Sequence, residues 1–190
     1  MTHSISTGAS NSPPQTTHNA EDDPRNQDIK IYVDGDLVHR DEAKISVYDS
    51  GFLLGDGMWE GMRLHNGKWA FFDAHMDRLF AGLKAASIKL AMDRLEILEA
   101  LNITASANDM TNDAHCRLMV TRGIKVKPFQ HPSLSRSGPT VVIIIEHSKP
   151  ATSLQSHGIR LATVPQIRGL PMSQDAKLNS HSKLNCVLAC

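Results

Sequence analysis

The chain has 190 residues, 41% of them hydrophobic, and its 20 Lys and Arg balance 20 Asp and Glu to a net charge of zero. That length suits one domain, or one domain and part of another, and the apolar fraction supports a real core. Zero net charge argues against a general phosphate-backbone binder, and the longest apolar run, 141–145, has strand length, far short of the roughly 20 residues of a membrane span. Three cysteines, Cys116, Cys186 and Cys190, make no disulfide framework, and the start Met1-Thr2-His3-Ser4 shows neither a basic nor an apolar leader region. The default expectation is a soluble cytoplasmic protein that binds neither nucleic acid nor membrane.

Residues 1–28 are dominated by Ser, Thr, Asn, Gln, Gly and Pro, and predict a disordered tail, because such a segment buries too little surface to offset its ordering entropy. Order is expected from Ile29. The β-rich stretch 29–33, the Asp34-Gly35 pair and Leu37-Val38 predict a hairpin. The stretch 45–48 predicts a short extended piece, followed by a glycine-punctuated segment at 51–57. Residues 59–64 read as a strand, turned at Asn66-Gly67, with 69–72 returning.

The period then changes. Met76, Leu79, Phe80, Leu83 and Leu90 recur at helical spacing, predicting an amphipathic helix over 74–90 with Asp73 as its N-cap. Asp93 with Glu96 resembles a capping box for a second helix over 94–107. Strands follow at 117–121 and, centrally, at 141–145, separated by a long polar loop at 124–138. Loops of that length in compact domains are often functional. Residues 147–157 look like a connector, 159–164 alternates as a new strand, and a helix starts near Leu184. That helix has hardly begun when the chain stops, so a domain is expected to be cut off at Cys190.

Three clusters could carry chemistry. Gly51 to Arg63 combines glycines, which let a backbone turn tightly or approach another group, with Trp59, Glu60 and Arg63. His75 and Arg78 lie one helical turn apart on one face, and a guanidinium fork suits phosphate. The third, Asp175 to Asn185, holds Lys177 and Lys183 at a helix start, where a lysine can serve as a Schiff-base nucleophile. Each has a plain alternative: a turn region, a solvated helix face, ordinary surface lysines. No His or Cys spacing suggests a metal site, and the P-loop, dinucleotide and serine-elbow patterns are missing.

Together these segments resemble the class IV (fold-type IV) pyridoxal-phosphate aminotransferases, which include branched-chain and D-amino-acid aminotransferases and aminodeoxychorismate lyase. The resemblance covers about residues 29–190. Residues 31–35 are similar to the family's opening hairpin. The stretch from Asp49 to Arg63 resembles its D-x-G-f-x-x-G-D-G-v-y/f-E-g-i-R run, and His75 to Leu79 its H-x-x-R-L helix start. Residues 119–123 resemble a strand end, and 174–189 the lysine segment.

The resemblance implies an α+β fold. A disordered tail (1–28) would precede a small N-terminal α/β domain (29–148), a connector (149–158) and the incomplete beginning of the cofactor domain (159–190). It implies pyridoxal 5′-phosphate as cofactor, with Arg78 on its phosphate and Glu60 nearby. Trp59, in place of the usual Tyr or Phe, Arg63 and Lys127 would face the substrate; Lys127 keeps a cation where D-amino-acid enzymes use arginine, but loses the bidentate fork. A gapless match puts Asn179 at the Schiff-base position, leaving Lys183, whose flanking residues echo the family's pattern, or Lys177 to supply the amine. A third reading is that this branch has lost the lysine.

The implied activity is amino-group transfer between an amino acid, slightly favouring branched-chain ones, and a 2-oxo acid, in a homodimer. An aminodeoxychorismate-lyase-like enzyme is one alternative. A non-catalytic fragment or pseudoenzyme partnering related subunits is another. Because the family's larger domain carries the acid for the pyridine nitrogen and a second phosphate loop, this chain as given is expected to bind the cofactor weakly or not at all.

Overall fold

Two tight turns set the ends of the sheet. The computed structural model describes residues 23–149, 158, 161–167 and 169–190. Asp34 and Gly35 have φ of 50° and 109°, and Asn66 and Gly67 have 49° and 72°. Two successive positive φ values match a type I′ turn, whose twist suits paired strands. The first turn joins β1 (Lys30–Val33) to β2 (Asp36–His39), with Val33 opposite Asp36. The second joins β3 (Gly57–His65) to β4 (Lys68–Trp69), with His65 opposite Lys68. Both hairpins are the predicted ones, but β4 is shorter than expected. At Phe71, φ reaches 55°, and the chain leaves the sheet to begin a helix.

With β5 (Ala114–Thr121) and β6 (Val141–His147), the strands form one antiparallel sheet in the order β2-β1-β6-β5-β3-β4. The apolar run 141–145 thus lies in the interior of the sheet, as predicted. Cross-strand partners share a face. Glu60, Leu118 and Ile143 are aligned on one face, and Trp59, Met119 and Val142 on the other. Against the first face pack α2 (Phe72–Ala85) and α3 (Arg94–Ser106). The core lies there, from Met58, Met62, Leu118, Val120, Ile143 and Ile145 to Met76, Leu79, Leu83, Ile97 and Leu101. The other face is mixed: Met119, Val142 and Ile144 line a cavity of about 350 Å³, and Trp59, Arg63 and Arg117 share that face.

The capping box is formed: Asp93 Oδ1 accepts from the Leu95 and Glu96 amides at 2.8 and 2.9 Å, and Glu96 Oε2 accepts from the Asp93 amide at 2.7 Å. Four expectations need correction. Helix α2 is N-capped by Phe71, not Asp73, and ends at Ala85 rather than 90. Asp73 instead lies in the first turn, where a negative charge favours a helix N-terminus.

Order also begins before Ile29. Asp23 caps a 3-10 turn, Pro24–Asn26, and the Asn26 amide clamps the His147 backbone, donating to its carbonyl at 3.1 Å and accepting from its N–H at 2.7 Å. Residues 1–22 of the expected tail and 150–157 of the connector lie outside the described residues. Residues 45–48 form no strand, and the glycine-punctuated segment holds a helical turn, α1 (Ser50–Leu54), capped by Asp49 and by Gly55 at φ 66°. Finally, 161–164 is exposed and not a strand; its alternation finds no pairing edge among the described residues, and Ile159 and Arg160 lie outside them. The helix at Leu184 is present as a single turn, α4 (Leu184–Val187).

Candidate cofactor site

The site is built around the N-terminal half of β3, with different side chains on its two faces. Glu60 points toward α2 and is fully buried on the core side of the sheet. A carboxylate removed from water must be paired. Arg78 supplies two hydrogen bonds, Nε to Oε1 at 2.8 Å and Nη2 to Oε2 at 2.5 Å, and His75 Nδ1 donates to Oε2 at 2.7 Å. His75 and Arg78, one turn apart on α2, therefore converge on one carboxylate, as their spacing allows. The hydrogen bond to Glu60 holds the Arg78 guanidinium above its usual range, against the opposing effect of burial. Half of the Arg78 side chain remains exposed, so part of its fork still faces outward.

Trp59 points to the opposite face. The Arg117 guanidinium stacks 3.9 Å from the centre of its ring, and Lys183 Nζ lies 5.5 Å from it. Its indole N–H donates to the Ser180 carbonyl at 3.0 Å. The segment 179–182 runs along the edge of β3 like a partial strand. Trp59 N–H donates to Asn179 O at 3.0 Å, His181 N–H to Gly57 O at 3.0 Å, and Ser182 Oγ to Gly55 O at 3.2 Å. Asn179 spends its side-chain amide on the Trp59 carbonyl at 2.6 Å. His181 Nε2 donates to the Met58 carbonyl at 3.1 Å, and burial holds its imidazole below its ordinary pKa.

Two glycines leave room for close neighbours, Gly57 for β5 and Gly55 for the 179–182 segment. A Cβ on Gly57 would stand 2.6 Å from the Val120 carbonyl oxygen, and one on Gly55 2.6 Å from Ser182 Oγ. Below, Asp49 is wholly buried; it accepts from Thr121 Oγ1 and the Gly51 amide, each at 2.8 Å, while Arg122 grips Asp56. These contacts fix the glycine-rich segment against the end of β5.

Glu60 and Arg78 are thus brought together, as are Trp59 and Lys183. Lys177 is exposed, its backbone N–H donating to Asp175 Oδ1 at 2.9 Å. Arg63 donates to the Ser148 carbonyl at 2.8 Å and ties β3 to the chain just beyond β6. Lys127 is exposed on the 124–138 loop. Two residues earlier, Lys125 is buried and donates to the His131 carbonyl at 3.2 Å, anchoring that loop. The sequence reading missed Arg117 and His181. Arg117 alternates with Cys116 and Leu118 in a strand, which marks it for the face opposite the core; no local pattern marks His181.

Two groups of the kinds a phosphorylated aldehyde needs are present, on opposite sides of β3. The outward part of the Arg78 fork suits a phosphate, and Lys183 is a half-buried primary amine beside an aromatic ring. Asn179 carries an amide, which cannot act as that amine, and that amide is engaged with the Trp59 carbonyl.

Comparison with known proteins agrees. A family model described as amino-transferase class IV matches residues 57–190. Branched-chain-amino-acid aminotransferase-like protein 1 of Arabidopsis thaliana is 35% identical over 166 residues, covering 87% of this chain and 30% of that protein. The aminodeoxychorismate lyase of Bacillus subtilis is 34% identical over 161 residues, covering 84% and 53%. In fold, a T.th. branched-chain amino acid aminotransferase, solved with pyridoxamine 5′-phosphate, superposes with a TM-score of 0.72 at 20% identity, covering 85% of this chain and 54% of that one. The chain therefore spans about a third to a half of the length of these relatives. It belongs to the class IV aminotransferase family.

Proposed function

We propose that this chain is the part of a pyridoxal-phosphate-dependent aminotransferase that grips the cofactor phosphate and presents the reactive amine. The observation that carries this reading is the buried Glu60 carboxylate holding a half-exposed Arg78 guanidinium. Its support is the family membership and the pyridoxamine 5′-phosphate bound to a relative of the same fold.

In this reading Arg78 binds the phosphate and Glu60 orients Arg78 rather than touching the cofactor, since both of its oxygens already accept hydrogen bonds. Lys183 Nζ is the amine that moves a proton at the substrate Cα; Lys177 is the other amine of the same segment. Trp59 walls the site and keeps water from that Nζ. Lys127 offers a cation to a substrate carboxylate, and Arg63 acts mainly by holding β3. When bound, the cofactor supplies the electron sink that lets a Cα–H bond break. Residues 29–148 form the small domain, 149–158 the connector and 159–190 the beginning of the cofactor domain. The substrates are an amino acid, branched-chain ones favoured, and a 2-oxo acid. The working form is a cytoplasmic homodimer.

The similarity to an aminodeoxychorismate lyase sustains a second reading. Product analysis separates them. In a version of the chain extended to the length of its relatives, incubation with pyridoxal phosphate, leucine and 2-oxoglutarate is expected to yield 4-methyl-2-oxopentanoate and glutamate. Pyruvate formed from aminodeoxychorismate, with no amino transfer, would instead establish the lyase.

A further inference from the structure

We propose that His75 is a positioning residue: through its hydrogen bond to buried Glu60 it fixes the carboxylate that aims Arg78 at a phosphoryl group. This deepens the reading above and rests on it for the identity of what Arg78 meets.

The inference follows from counting donors. Glu60 is fully buried, so its oxygens depend on protein donors. Oε1 has Arg78 Nε; Oε2 is shared by Arg78 Nη2 and His75 Nδ1. A carboxylate held only by a long arginine can pivot with it, because the Arg78 side chain is half in solvent. His75 is different. It is short, only 22% exposed, and lies one turn before Arg78 on the same helix. Its bond therefore holds the carboxylate plane relative to α2 independently of where the guanidinium points. With the plane fixed, the Nε–Nη2 edge of Arg78 is fixed against it, which leaves Nη1 as the nitrogen of this half-exposed side chain not engaged with Glu60. An anion then meets an aimed donor rather than a swinging one, and loses less conformational entropy on binding.

The test uses the full chain, ¹⁵N-labelled, with inorganic phosphate as probe. The Arg78 Nε–H signal is assigned by its loss in Arg78→Lys. In the wild type it is expected to be sharp and slowly exchanging, and to shift on phosphate titration. His75→Asn puts an amide donor near the Nδ1 position and is expected to keep both properties. His75→Gln, of similar polarity but with its amide near Nε2, and His75→Ala are expected to broaden the signal and weaken phosphate binding about tenfold, the size of losing one hydrogen bond to a charged group. Equal behaviour of the Asn and Gln variants, both folded, would overturn the proposal, and that comparison stands even if the Ala variant does not fold. Phosphate binding unchanged in Arg78→Lys would defeat the phosphate reading instead, while the Nε–H signal in the His75 variants would still decide the positioning role.

Discussion

Glu60 is the most demanding single residue in the fold. Burying its carboxylate is tolerable only because three donors from α2 meet it. Arg78→Met leaves that charge with His75 alone, and is expected to destabilise the chain by about 2–4 kcal/mol in urea unfolding. The double variant Glu60→Met with Arg78→Met, which removes both charges, should recover most of the loss. A double variant as unstable as the single one would show that the ion pair itself, not its incompleteness, carries the stability. At the same scale, burial pushes the Cys116 thiol far up, whereas Cys186 and Cys190 are exposed. A thiol reagent should therefore titrate two cysteines in the native protein and all three only after denaturation.

Among the elements, most signals confined to a few residues are legible, the Asp73 cap excepted, whereas several that depend on tertiary pairing are not. Asp34-Gly35, Asn66-Gly67 and the Asp93–Glu96 box each specify their structure within four residues, so they were legible. Asp93→Ala should cost about 1 kcal/mol in urea unfolding, the usual value of a lost N-cap; no measurable loss would mean that α3 is held by packing alone. Residues 161–164 and 179–182 show the reverse. The first has strand alternation but no strand partner among the described residues. The second has no strand signature yet lies along β3, because the free backbone groups of Gly57 and Trp59 need partners there. Lys125 belongs with them: a lysine in a polar loop gives no hint that the loop folds back and buries it.

His181 gives this docked segment a pH dependence. Burial, the largest effect, lowers its folded pKa, and burial lowers that of His147 likewise. The unfolded chain then binds more protons below about pH 6.5, so stability should fall as pH drops through that region and be fully present above it. Comparing urea midpoints at pH 7.5 and 5.5 checks this. His181→Asn should flatten the slope, and an unchanged slope would remove His181 as its source.

For the whole molecule, the family was legible because its segments occur in order, from the glycine-rich run to H-x-x-R-L and the lysine segment. The arrangement on the two faces of the sheet was not. Alternation along β3 separates Glu60 from Trp59, but only the register with β5 and the helices on one side reveal which chemistry lies where. Arg78 thus approaches β3 from the helix side, and Lys183 lies beside Trp59 on the other. Whether Arg78 and the 177–183 segment, on the two sides of β3, serve one cofactor is tested most directly by borohydride reduction in excess pyridoxal phosphate, followed by peptide mapping, since reduction captures even a weak complex. The label is expected on Lys183 and should fall sharply in Arg78→Ala. Label scattered over the surface lysines, and unchanged in Arg78→Ala, would contradict the account.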